Sequence, residues 1–566
     1  MAFKSSRKIL STVFLLAFGI VLGFQVNDLI GADDTYEQLK KLENAFLLID
    51  RQYVEDVDPG KLVESAILAM LEDLDPHSSY IDAESIQRVQ EQYKGSFGGI
   101  GVWFEAPLGD TARVTSTFPD GPSETVGIKA GDRMIAVNGE NVIDLPSLKL
   151  QEKLKGKPGT SVNLTVTRRG VREPITFEIT RQIIPLYSVD ASYMMDDETG
   201  YIRIGRFAMT THDEFIEHVT KLKKQGLKQL ILDLRHNPGG IKEAAVRVAD
   251  EMLDGTGTIV FTRGRNPKEN EVDHITPGGI LTEEPVIVLV DANSASGSEI
   301  VAGALQDHDR ALIVGRRTFG KGLVQRPFQL SDNSVLQMTV ARYYMPSGRL
   351  IQTPYKDGNT DDYYEKKFSD YEKAAMNPEK YLSEIPDSLR YETSHGRIVY
   401  GGGGVMPDVI VPPDSLSPLS GRLVKSFLLK FMTASFIRKD FDAHEKQYRD
   451  LWAEDRDAFF EEYEVSADLW QRFVKYTEDE GISYTNADSS PEESIFRRDE
   501  LSDARATIEI LLKARMAQRL FRSEAWYPVF NQIDPTIQTA LKLWTGAEEL
   551  ANLYHTPPTS KAFRGS

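Results

Sequence analysis

The spacing of hydrophobic residues divides the chain into segments of different period. From Asp33 to about Lys94, apolar residues such as Leu39, Leu42 and Phe46 recur at helical spacing, which predicts an N-terminal helical region over residues 33–94. A proline turn in the segment LDPHSSY, residues 74–80, interrupts this pattern. We therefore expect helices separated by a turn.

From residue 95 to 184 the period changes to two, which is typical of half-buried strands. One helical segment, residues 147–155, lies among them. The predicted strands cover residues 100–105, 112–117, 133–137, 161–168 and 175–179. Short strands around a single helix indicate a small β-barrel-like module.

Residues 185–414 alternate between strongly apolar strands and amphipathic helices. The strands at 229–235, 285–291 and 311–315 are almost entirely apolar, as expected for strands buried on both faces of a parallel sheet. This pattern predicts an α/β layered domain. A polar, tyrosine-rich stretch over about 353–396 interrupts it, which we interpret as an insertion or a long surface loop.

The last segment, residues 415–566, is helical in pattern, highly charged and dotted with aromatic residues. Its amphipathicity is compatible with two arrangements. The helices either pack onto the α/β domain or another subunit, or they form a solvated appendage.

Composition narrows the possible chemistry. The chain has 566 residues, of which 41% are hydrophobic, and this is ordinary for globular domains. A net charge of −19 makes nucleic acid a poor partner, because an acidic surface repels phosphate backbones. The absence of cysteine excludes disulfides, thiolate metal sites and a cysteine nucleophile.

The N-terminus has the layout of a targeting segment. Lys4, Arg7 and Lys8 precede an apolar run over residues 9–24. A basic flank followed by an apolar core predicts a signal peptide or a signal anchor over residues 1–32. The alternative is a buried core helix. We expect export, with the rest of the protein on the periplasmic side of the cytoplasmic membrane and the cleavage of the signal left open.

A small-residue loop after a buried strand, DANSASGSEI, is the strongest candidate for chemistry. It places Ser296 where a helix begins, and free N–H groups there favour a developing anion. Ser296 could act as a nucleophile beside the N–H of Gly297. The alternative is an ordinary N-capping serine.

A serine nucleophile needs a base, and the residues offer two. His236 could act with Asp233 as its orienting group, although both follow the same strand. Lys321, in RTFGKGLVQ, could replace histidine if its pKa falls from about 10.4 towards neutrality. The preceding GRRTFGK resembles a phosphate-binding loop, but Gly322 lacks the hydroxyl that would hold Mg²⁺. The glycine turn in DLRHNPGG could aim N–H groups at an oxyanion or simply join a strand to a helix.

Five motifs occur in a fixed order: DLRHNPGG, SASGSEIVAGALQD, GRRTFGKGLVQ, SGRLIQ and GGGGVMPDVIV. Together they resemble the carboxy-terminal processing proteases, the tail-specific serine peptidases, over about residues 33–413. The resemblance implies a multidomain α/β fold. Its elements are a crotonase-like α/β serine protease core, an inserted PDZ β-barrel domain, N-terminal helices and a C-terminal helical region.

The resemblance also assigns roles to individual residues. Ser296 is expected to be the nucleophile, Lys321 the general base, and Gln325 the group that orients the lysine amine. The N–H groups of Gly240 and Gly297 are expected to form the oxyanion hole. No metal and no cofactor is expected.

The stretch FGGIGVWF resembles the carboxylate-binding loop and peptide-pairing strand of a PDZ domain. Gly99, Ile100, Gly101 and Val102 occupy the positions whose backbone would hold a terminal carboxylate. The helix at 147–155 would line the groove. The alternative is a structural barrel without a ligand.

The resemblance therefore implies a serine endopeptidase that recognises the C-terminal tails of exported protein substrates through its PDZ domain and cleaves with a Ser–Lys dyad. Two alternatives stay open: a non-catalytic PDZ chaperone or scaffold, and a hydrolase that depends on His236. An adaptor or a homo-oligomer is left open as a further partner. Nucleic acid is not expected, and membrane contact is expected through the N-terminal segment only.

Overall fold

The computed structural model describes residues 34–107, 109–355, 360–412, 427–485 and 495–560. The chain divides into two units between Tyr80 and Ile81. In the first unit a helix runs over residues 34–52 and a second over Pro59–Glu72. The side chain of Asp58 starts the second helix by accepting hydrogen bonds from two backbone N–H groups of its first turn.

The predicted turn in LDPHSSY is stabilised by one carboxylate. Asp75 accepts hydrogen bonds from the N–H groups of His77 at 2.9 Å and Ser78 at 3.0 Å, and from the Ser78 hydroxyl at 2.6 Å. The strand Ser79–Ile81 follows, and then the helix Ile86–Lys94. The helices predicted over residues 33–94 are therefore present in the described part of that segment.

The module predicted over residues 95–184 contains two helices, Pro122–Thr125 and Ser147–Leu154, a two-stranded antiparallel sheet of Ser96–Gly99 and Gln182–Pro185, and a six-stranded antiparallel sheet. Its edge strand Val102–Glu105 pairs with Arg113–Thr117 on one side. The apolar residues that alternate along these strands form a separate core with Leu150 and Leu154 of the longer helix. The strands are Ser96–Gly99, Val102–Glu105, Arg113–Thr117, Arg133–Val137, Glu140–Asn141, Ser161–Thr167, Ile175–Thr180 and Gln182–Pro185.

The α/β domain is built on a sheet whose central strands are parallel, as their apolar sequences predict. All five residues of Val286–Val290 and of Ala311–Gly315 are buried. The antiparallel pair Val189–Met194 and Thr199–Ile204 closes one edge. In spatial order the strands are Val189–Met194, Thr199–Ile204, Gln229–Asp233, Val286–Val290, Ala311–Gly315 and Val409–Ile410.

Helices cover both faces of this sheet. One face packs against the helices Thr211–Lys224, Lys242–Asp250 and Gly297–Asp307. The other face packs against the C-terminal helices Pro535–Ala540 and Trp544–Tyr554. A sheet buried on both sides fixes the loops at its strand ends, where the candidate site lies.

A second, antiparallel sheet carries the strand that follows the candidate base. Leu323–Gln329 pairs with the long strand Val335–Tyr344, with a register shift between Val324 and Gln325. Val335–Tyr344 also pairs with Thr258–Gly264, which pairs in turn with Val272–His274. The short helix Pro267–Glu269 connects the last two strands.

The stretch over about 353–396 is not a long surface loop in its described residues, so that alternative is wrong. It contains the helices Thr360–Met376 and Pro378–Glu384, the turn Asp387–Leu389 and the strand Arg390–Glu392, which pairs with Ile398–Tyr400. Tyr363, Lys367 and Ala374 are buried along one side of the first helix. Because a lysine and a tyrosine occupy this buried side, the stretch lacks the apolar period of a typical core helix.

The C-terminal region packs rather than extending into solvent. Beyond the two helices on the central sheet, its earlier helices form a hydrophobic core of their own, which includes Phe436, Phe473 and Ile508. These elements are the helices Phe427–Trp452, Arg456–Glu462, Ala467–Asp479, Arg498–Phe521 and Trp526–Phe530, the strands Ser483–Thr485 and Ile495–Arg497, and the turn Ser523–Ala525. The solvated-appendage alternative is wrong for the described residues.

The signal or anchor predicted over residues 1–32 lies outside the described residues. Within the part of the chain that the structure describes, no helix combines the length and the apolar character needed to span a bilayer.

Candidate active site

Two neighbouring parallel strands bring the candidate loops together. Gln229–Asp233 and Val286–Val290 are paired in register, so the chain segments after their carboxyl ends lie at the same edge of the sheet. The Ser294 hydroxyl donates to the carbonyl of Leu234 at 2.8 Å. The N–H of Ala295 donates to the carbonyl of Asn237 at 3.0 Å. The glycine turn and the serine loop are therefore bonded directly to each other.

Ser296 lies at the N-terminus of the buried helix Gly297–Asp307. Its φ of 53° lies in the left-handed region, which a residue with a side chain rarely adopts. Such a conformation persists only where the surroundings impose it, and it is frequent at functional sites. Here the loop turns sharply at the serine between a buried strand and a buried helix.

The approach of the two loops requires glycine. A Cβ atom at Gly239, where φ is 95°, would lie 2.7 Å from the Cβ atom of Ser296. A Cβ atom at Gly240 would overlap the carbonyl oxygen of Phe207. The N–H groups of Gly240 and Gly297 donate to no acceptor within the described ranges, so both are available to an oxyanion.

One buried carboxylate holds the backbones of the candidate nucleophile and the candidate base. Glu299 Oε2 accepts the N–H of Ser296 at 2.9 Å and the N–H of Lys321 at 2.8 Å. These two nitrogens are therefore at most about 6 Å apart. Glu299 Oε1 accepts the N–H of Gly320 and the hydroxyl of Thr318, both at 2.6 Å. Burial raises the pKa of Glu299, and these four hydrogen bonds oppose that rise.

A tyrosine hydroxyl joins the same two residues from the carbonyl side. Tyr343, on the second sheet, donates to the carbonyl of Ser296 at 3.1 Å and also to the carbonyl of Lys321. Burial raises the pKa of Tyr343 well above its usual value, so the hydroxyl keeps its proton. The two candidate residues, which are far apart in sequence, are thus fixed at both their N–H and C=O groups.

The side chain of Lys321 is bonded to Gln325. Its Nζ donates to Gln325 Oε1 at 2.8 Å, and Gln337 Nε2 donates to the same oxygen at 3.4 Å. Gln325 lies within the strand Leu323–Gln329, which begins two residues after Lys321, and the pairing of this strand with Val335–Tyr344 fixes the position of Gln325. The structure therefore brings the predicted amine and its predicted orienting group together.

His236 lies at the same edge of the sheet but has different partners. Its Nδ1 is 3.1 Å from Asp291 Oδ2 and 3.0 Å from Asn293 Nδ2, and its side chain is 62% exposed. Asp233 does not orient it, so that part of the histidine alternative is wrong. The Asp233 carboxylate is buried and instead accepts hydrogen bonds from Tyr201 and Arg235.

Sequence reasoning missed three residues of this site. Glu299 follows Ser296 by three positions, which is the spacing of a capping box, so this signal was available. Tyr343 carries no comparable signal, because only the second sheet brings it to the serine loop. Lys367 comes from the insertion and lies over the ring of Phe319, and burial lowers its pKa to about 6. Within the described ranges, no group of His, Asp and Glu side chains could hold a metal ion.

The predicted peptide-binding residues line a cavity of about 190 Å³. Gly99, Ile100, Gly101 and Val102 form one wall, and Leu154 of the helix Ser147–Leu154 lies on another. Gly101 has a φ of 69°, which turns its backbone away from the strand direction. The next strand, Val102–Glu105, lies at the edge of its sheet in the described part of the chain, and its outer side could pair with an extended peptide.

Comparison with known families assigns most of the chain. Residues 198–364 match the model of peptidase family S41, and residues 113–168 match that of the PDZ domain. Residues 25–85 match the N-terminal domain of the activating protease CtpB. Residues 427–522 match a family of unknown function, DUF8443.

Similar proteins carry related names. A carboxy-terminal-processing protease of Bartonella bacilliformis is 39% identical over 347 residues, which cover 60% of this chain and 78% of that protein. The carboxy-terminal processing protease CtpA of Bacillus subtilis is 33% identical over 367 residues, covering 64% and 77%. A solved photosystem II D1 C-terminal processing protease is 28% identical, with a TM-score of 0.32, and the match covers 67% of this chain and 94% of that one.

Proposed function

Because this chain belongs to the carboxy-terminal processing proteases, a family of multidomain α/β proteases with a PDZ domain, we propose that it hydrolyses peptide bonds with a Ser296–Lys321 dyad. The observation that carries this proposal is the pair of hydrogen-bonded connections between the two residues. Glu299 binds both N–H groups and Tyr343 binds both carbonyls. Such a double constraint is expected where a nucleophile and its base must keep a fixed separation.

In the first half of the reaction, the Lys321 amine in its neutral form removes the proton from Ser296 Oγ as the oxygen attacks the scissile carbonyl carbon. The carbonyl oxygen gains negative charge and accepts hydrogen bonds from the N–H groups of Gly240 and Gly297. The C–N bond then breaks, and the protonated lysine returns the proton to the leaving amine. The product is an ester between Ser296 and the N-terminal part of the substrate.

In the second half, a water molecule attacks this ester and Lys321 accepts a proton from it. The same two N–H groups stabilise the second tetrahedral intermediate. When the C–O bond to Ser296 breaks, the lysine gives its proton to the serine oxygen and the acid product leaves. Gln325 takes no proton; its side-chain oxygen accepts a hydrogen bond from Lys321 Nζ, and in this proposal that bond orients the amine.

The proposal extends to the division of the chain into domains. We infer a crotonase-like core over residues 185–414 that contains the insertion at about 353–396, a PDZ domain over residues 95–184, an N-terminal helical region over 33–94 and a C-terminal region over 415–566. The PDZ domain would hold the C-terminal tails of protein substrates on the edge strand Val102–Glu105. The basic and apolar N-terminus supports export to the periplasmic side of the membrane, with residues 1–32 as signal or anchor.

Cleavage of a peptide with an apolar C-terminus tests the dyad. We expect Ser296→Ala and Lys321→Ala each to lower kcat by about 10⁴-fold or more, because residues of one catalytic unit fail together. Gln325→Ala is expected to lower kcat less, since the amine remains. Cleavage is followed by mass spectrometry, which also identifies the product ends.

His236→Ala is the matched comparison, because His236 lies at the same edge of the sheet and bonds to Asp291 and Asn293 instead of Glu299 or Tyr343. We expect it to keep most of the activity. Equal cleavage by wild type and Ser296→Ala would support the non-catalytic chaperone instead. Loss of activity in His236→Ala, with Lys321→Ala active, would support the histidine-dependent hydrolase.

A further inference from the structure

A cavity of about 620 Å³ lies between the PDZ domain and the C-terminal helical region. Its PDZ wall comes from the outward side of two paired strands, through Trp103, Glu105 and Ser116. Its other wall comes from the helices Phe427–Trp452 and Arg498–Phe521 and the turn that follows. None of the candidate catalytic residues lines it.

The lining is strongly cationic, although the chain as a whole is acidic. Glu105 is the single acidic residue among the lining residues. The cations are Arg438, Arg449, Arg515, Arg519 and Arg522. The cavity therefore has a local excess of positive charge opposite in sign to the net charge of −19.

Two of the five arginines have carboxylate partners. Arg519 donates to Glu105 at 2.8 Å, and Arg449 donates to Glu445 at 2.8 Å. The side chains of Arg438 and Arg522 form no hydrogen bond or ion pair within the described ranges. Carboxylates are abundant in this acidic chain, and yet none pairs with these two arginines within the described ranges.

Arg515 is a third cavity arginine without a carboxylate partner in the described ranges, and part of its guanidinium is buried. Its Nε is buried and finds no hydrogen-bond partner within the described ranges, while its guanidinium lies over the ring of Trp526 and binds Gln518. Burial, and after it the like charge of Arg519, lowers the pKa of Arg515 from its usual value. Several guanidinium groups that line one cavity favour the binding of an anion.

The cavity adjoins the candidate peptide groove, because Trp103 and Phe104 line both. A peptide paired antiparallel to Val102–Glu105, with its carboxylate at Gly99–Gly101, would run towards Glu105 as it is followed back from its C-terminus. At about 3.3 Å per residue, it would reach the arginines about four to six residues before that C-terminus.

We propose that this cavity binds an acidic segment of the substrate, located about four to six residues upstream of an apolar C-terminus. The proposal rests on the proposed PDZ function and names the class of substrate tail that this enzyme selects. The apolar end occupies the smaller groove, and upstream Asp or Glu side chains bind the unpaired arginines.

Peptide binding to the full-length Ser296→Ala protein tests this without requiring cleavage. Three fluorescent decapeptides share the same four apolar C-terminal residues and carry Glu, Ser or Lys at the upstream positions. Anisotropy gives the Kd of each. We expect the Glu peptide to bind about tenfold tighter than the Ser peptide and the Lys peptide to bind more weakly, since each charge pair changes affinity about two- to fivefold. The preference should shrink in high salt.

The double variant Arg438→Gln/Arg522→Gln should abolish the preference for the Glu peptide and leave the Kd of the Ser peptide unchanged. Neither arginine has a carboxylate partner within the described ranges, so we expect no change in thermal unfolding. Arg247→Gln/Lys380→Gln removes the same charge from exposed positions of the α/β domain and its insertion. This control should retain the preference.

Equal binding of the Glu and Ser peptides, or a preference that survives in the double variant, would overturn the proposal. A Glu peptide that binds equally well when its C-terminus is amidated would also overturn it, since the cavity would then act apart from the groove. Failure of the proposed function has a different signature. If the Ser peptide does not bind, PDZ recognition fails, and if Lys321→Ala still cleaves, the dyad fails, whatever the arginines bind.

Discussion

The charged groups of the α/β core and those that fasten the PDZ domain are arranged in opposite ways. In the core, Asp233 is buried and Glu299 is buried, and each accepts several hydrogen bonds. At the PDZ domain, Arg113 pairs with Asp442 at 2.5 Å and Glu105 pairs with Arg519, through side chains that keep contact with solvent.

This difference in burial matches two requirements of a protease that binds the C-terminal tail of its substrate. Catalysis needs atoms held within a fraction of an ångström, and buried networks provide this because breaking one partner leaves an unpaired charge. Recognition of varied tails needs a domain that can adjust, and ion pairs that keep contact with solvent contribute little to stability and are screened by salt. If burial decides how much each interaction contributes, substitutions in the buried networks of the core should have larger effects than substitutions at the PDZ domain.

The largest effect is expected at Asp233. Burial would raise its pKa, but the charges of Arg235 and Arg203 outweigh burial and hold the pKa well below its usual range. Arg235 also binds Asp534, the N-cap of the helix Pro535–Ala540. Asp233→Asn should therefore lower the free energy of unfolding by about 3–5 kcal/mol at pH 7, because it removes the buried carboxylate that Arg203 and Arg235 share and leaves each with one ion pair fewer.

The pH dependence of Asp233→Asn has a defined sign. Because the folded pKa is depressed, the stabilisation by Asp233 is complete above the unfolded value of 3.8 and is lost as pH falls towards the folded pKa. Denaturant unfolding at pH 7, 5 and 3 should show the difference from wild type narrowing only at the lowest pH. Asp213→Asn, at an exposed carboxylate, is the control. A difference below 1 kcal/mol at pH 7 would contradict the role of burial.

The next effect concerns Glu299, a positioning residue. Glu299→Gln replaces an oxygen acceptor with an NH₂ group that faces backbone donors, so the loops of Ser296 and Lys321 should separate. We expect kcat to fall about 100-fold while KM and the Kd for tail peptides stay unchanged. Glu243→Gln, in the first turn of a neighbouring core helix, is the control. An unchanged kcat would show that catalysis does not need the hydrogen bonds from Ser296 and Lys321 to Glu299.

A smaller effect is expected at Lys367, whose Nζ has no hydrogen-bond partner within the described ranges. Burial lowers its pKa to about 6, and the charge of Glu299 only partly opposes this. Between pH 6 and about 10 the unfolded chain binds the proton and the folded chain does not, so stability rises with pH by at most about 1.4 kcal/mol per unit.

Lys367→Met should remove this slope and stabilise the protein at pH 7. Urea unfolding at half-unit steps from pH 6 to 9 measures the slope for both proteins. Lys373→Met, on an exposed position of the same helix, should keep the wild-type slope. Parallel curves for wild type and Lys367→Met would show that this amine is charged in the folded protein.

The same distinction explains what the sequence could predict. Val286–Val290 and Ala311–Gly315 are apolar throughout, and this alone identifies them as central strands. The motif glycines locate the loops around Ser296, because only glycine permits their close approach. These features are local, so a pattern of neighbouring residues contains them.

What could not be predicted depends on contacts between distant segments. Tyr343 reaches Ser296 only through the second sheet, and the arginine cavity forms only where the C-terminal helices meet the PDZ strands. The hydrophobic pattern did not predict the helix Thr360–Met376, because its buried side includes Lys367, a residue type that usually faces solvent. Prediction of a helix from sequence depends on apolar residues at its buried positions, and a lysine at such a position interrupts that pattern.

The smallest effect is expected at the half-buried ion pair between Arg113 of the PDZ domain and Asp442 of the helix Phe427–Trp452. Arg113 and Asp442 have side-chain exposures of 16% and 33%, and water therefore screens their attraction. A double-mutant cycle with Arg113→Gln and Asp442→Asn should give a coupling energy below about 1 kcal/mol, which falls further in 0.5 M salt. The measurement is urea unfolding of the four proteins, with hydrogen exchange of the strand Val102–Glu105 as a local readout. A coupling as large as the cost of Asp233→Asn would mean that the PDZ domain is held as rigidly as the catalytic loops. The contrast between a rigid candidate active site and an adjustable PDZ domain would then be wrong, because both would be held by interactions of similar strength.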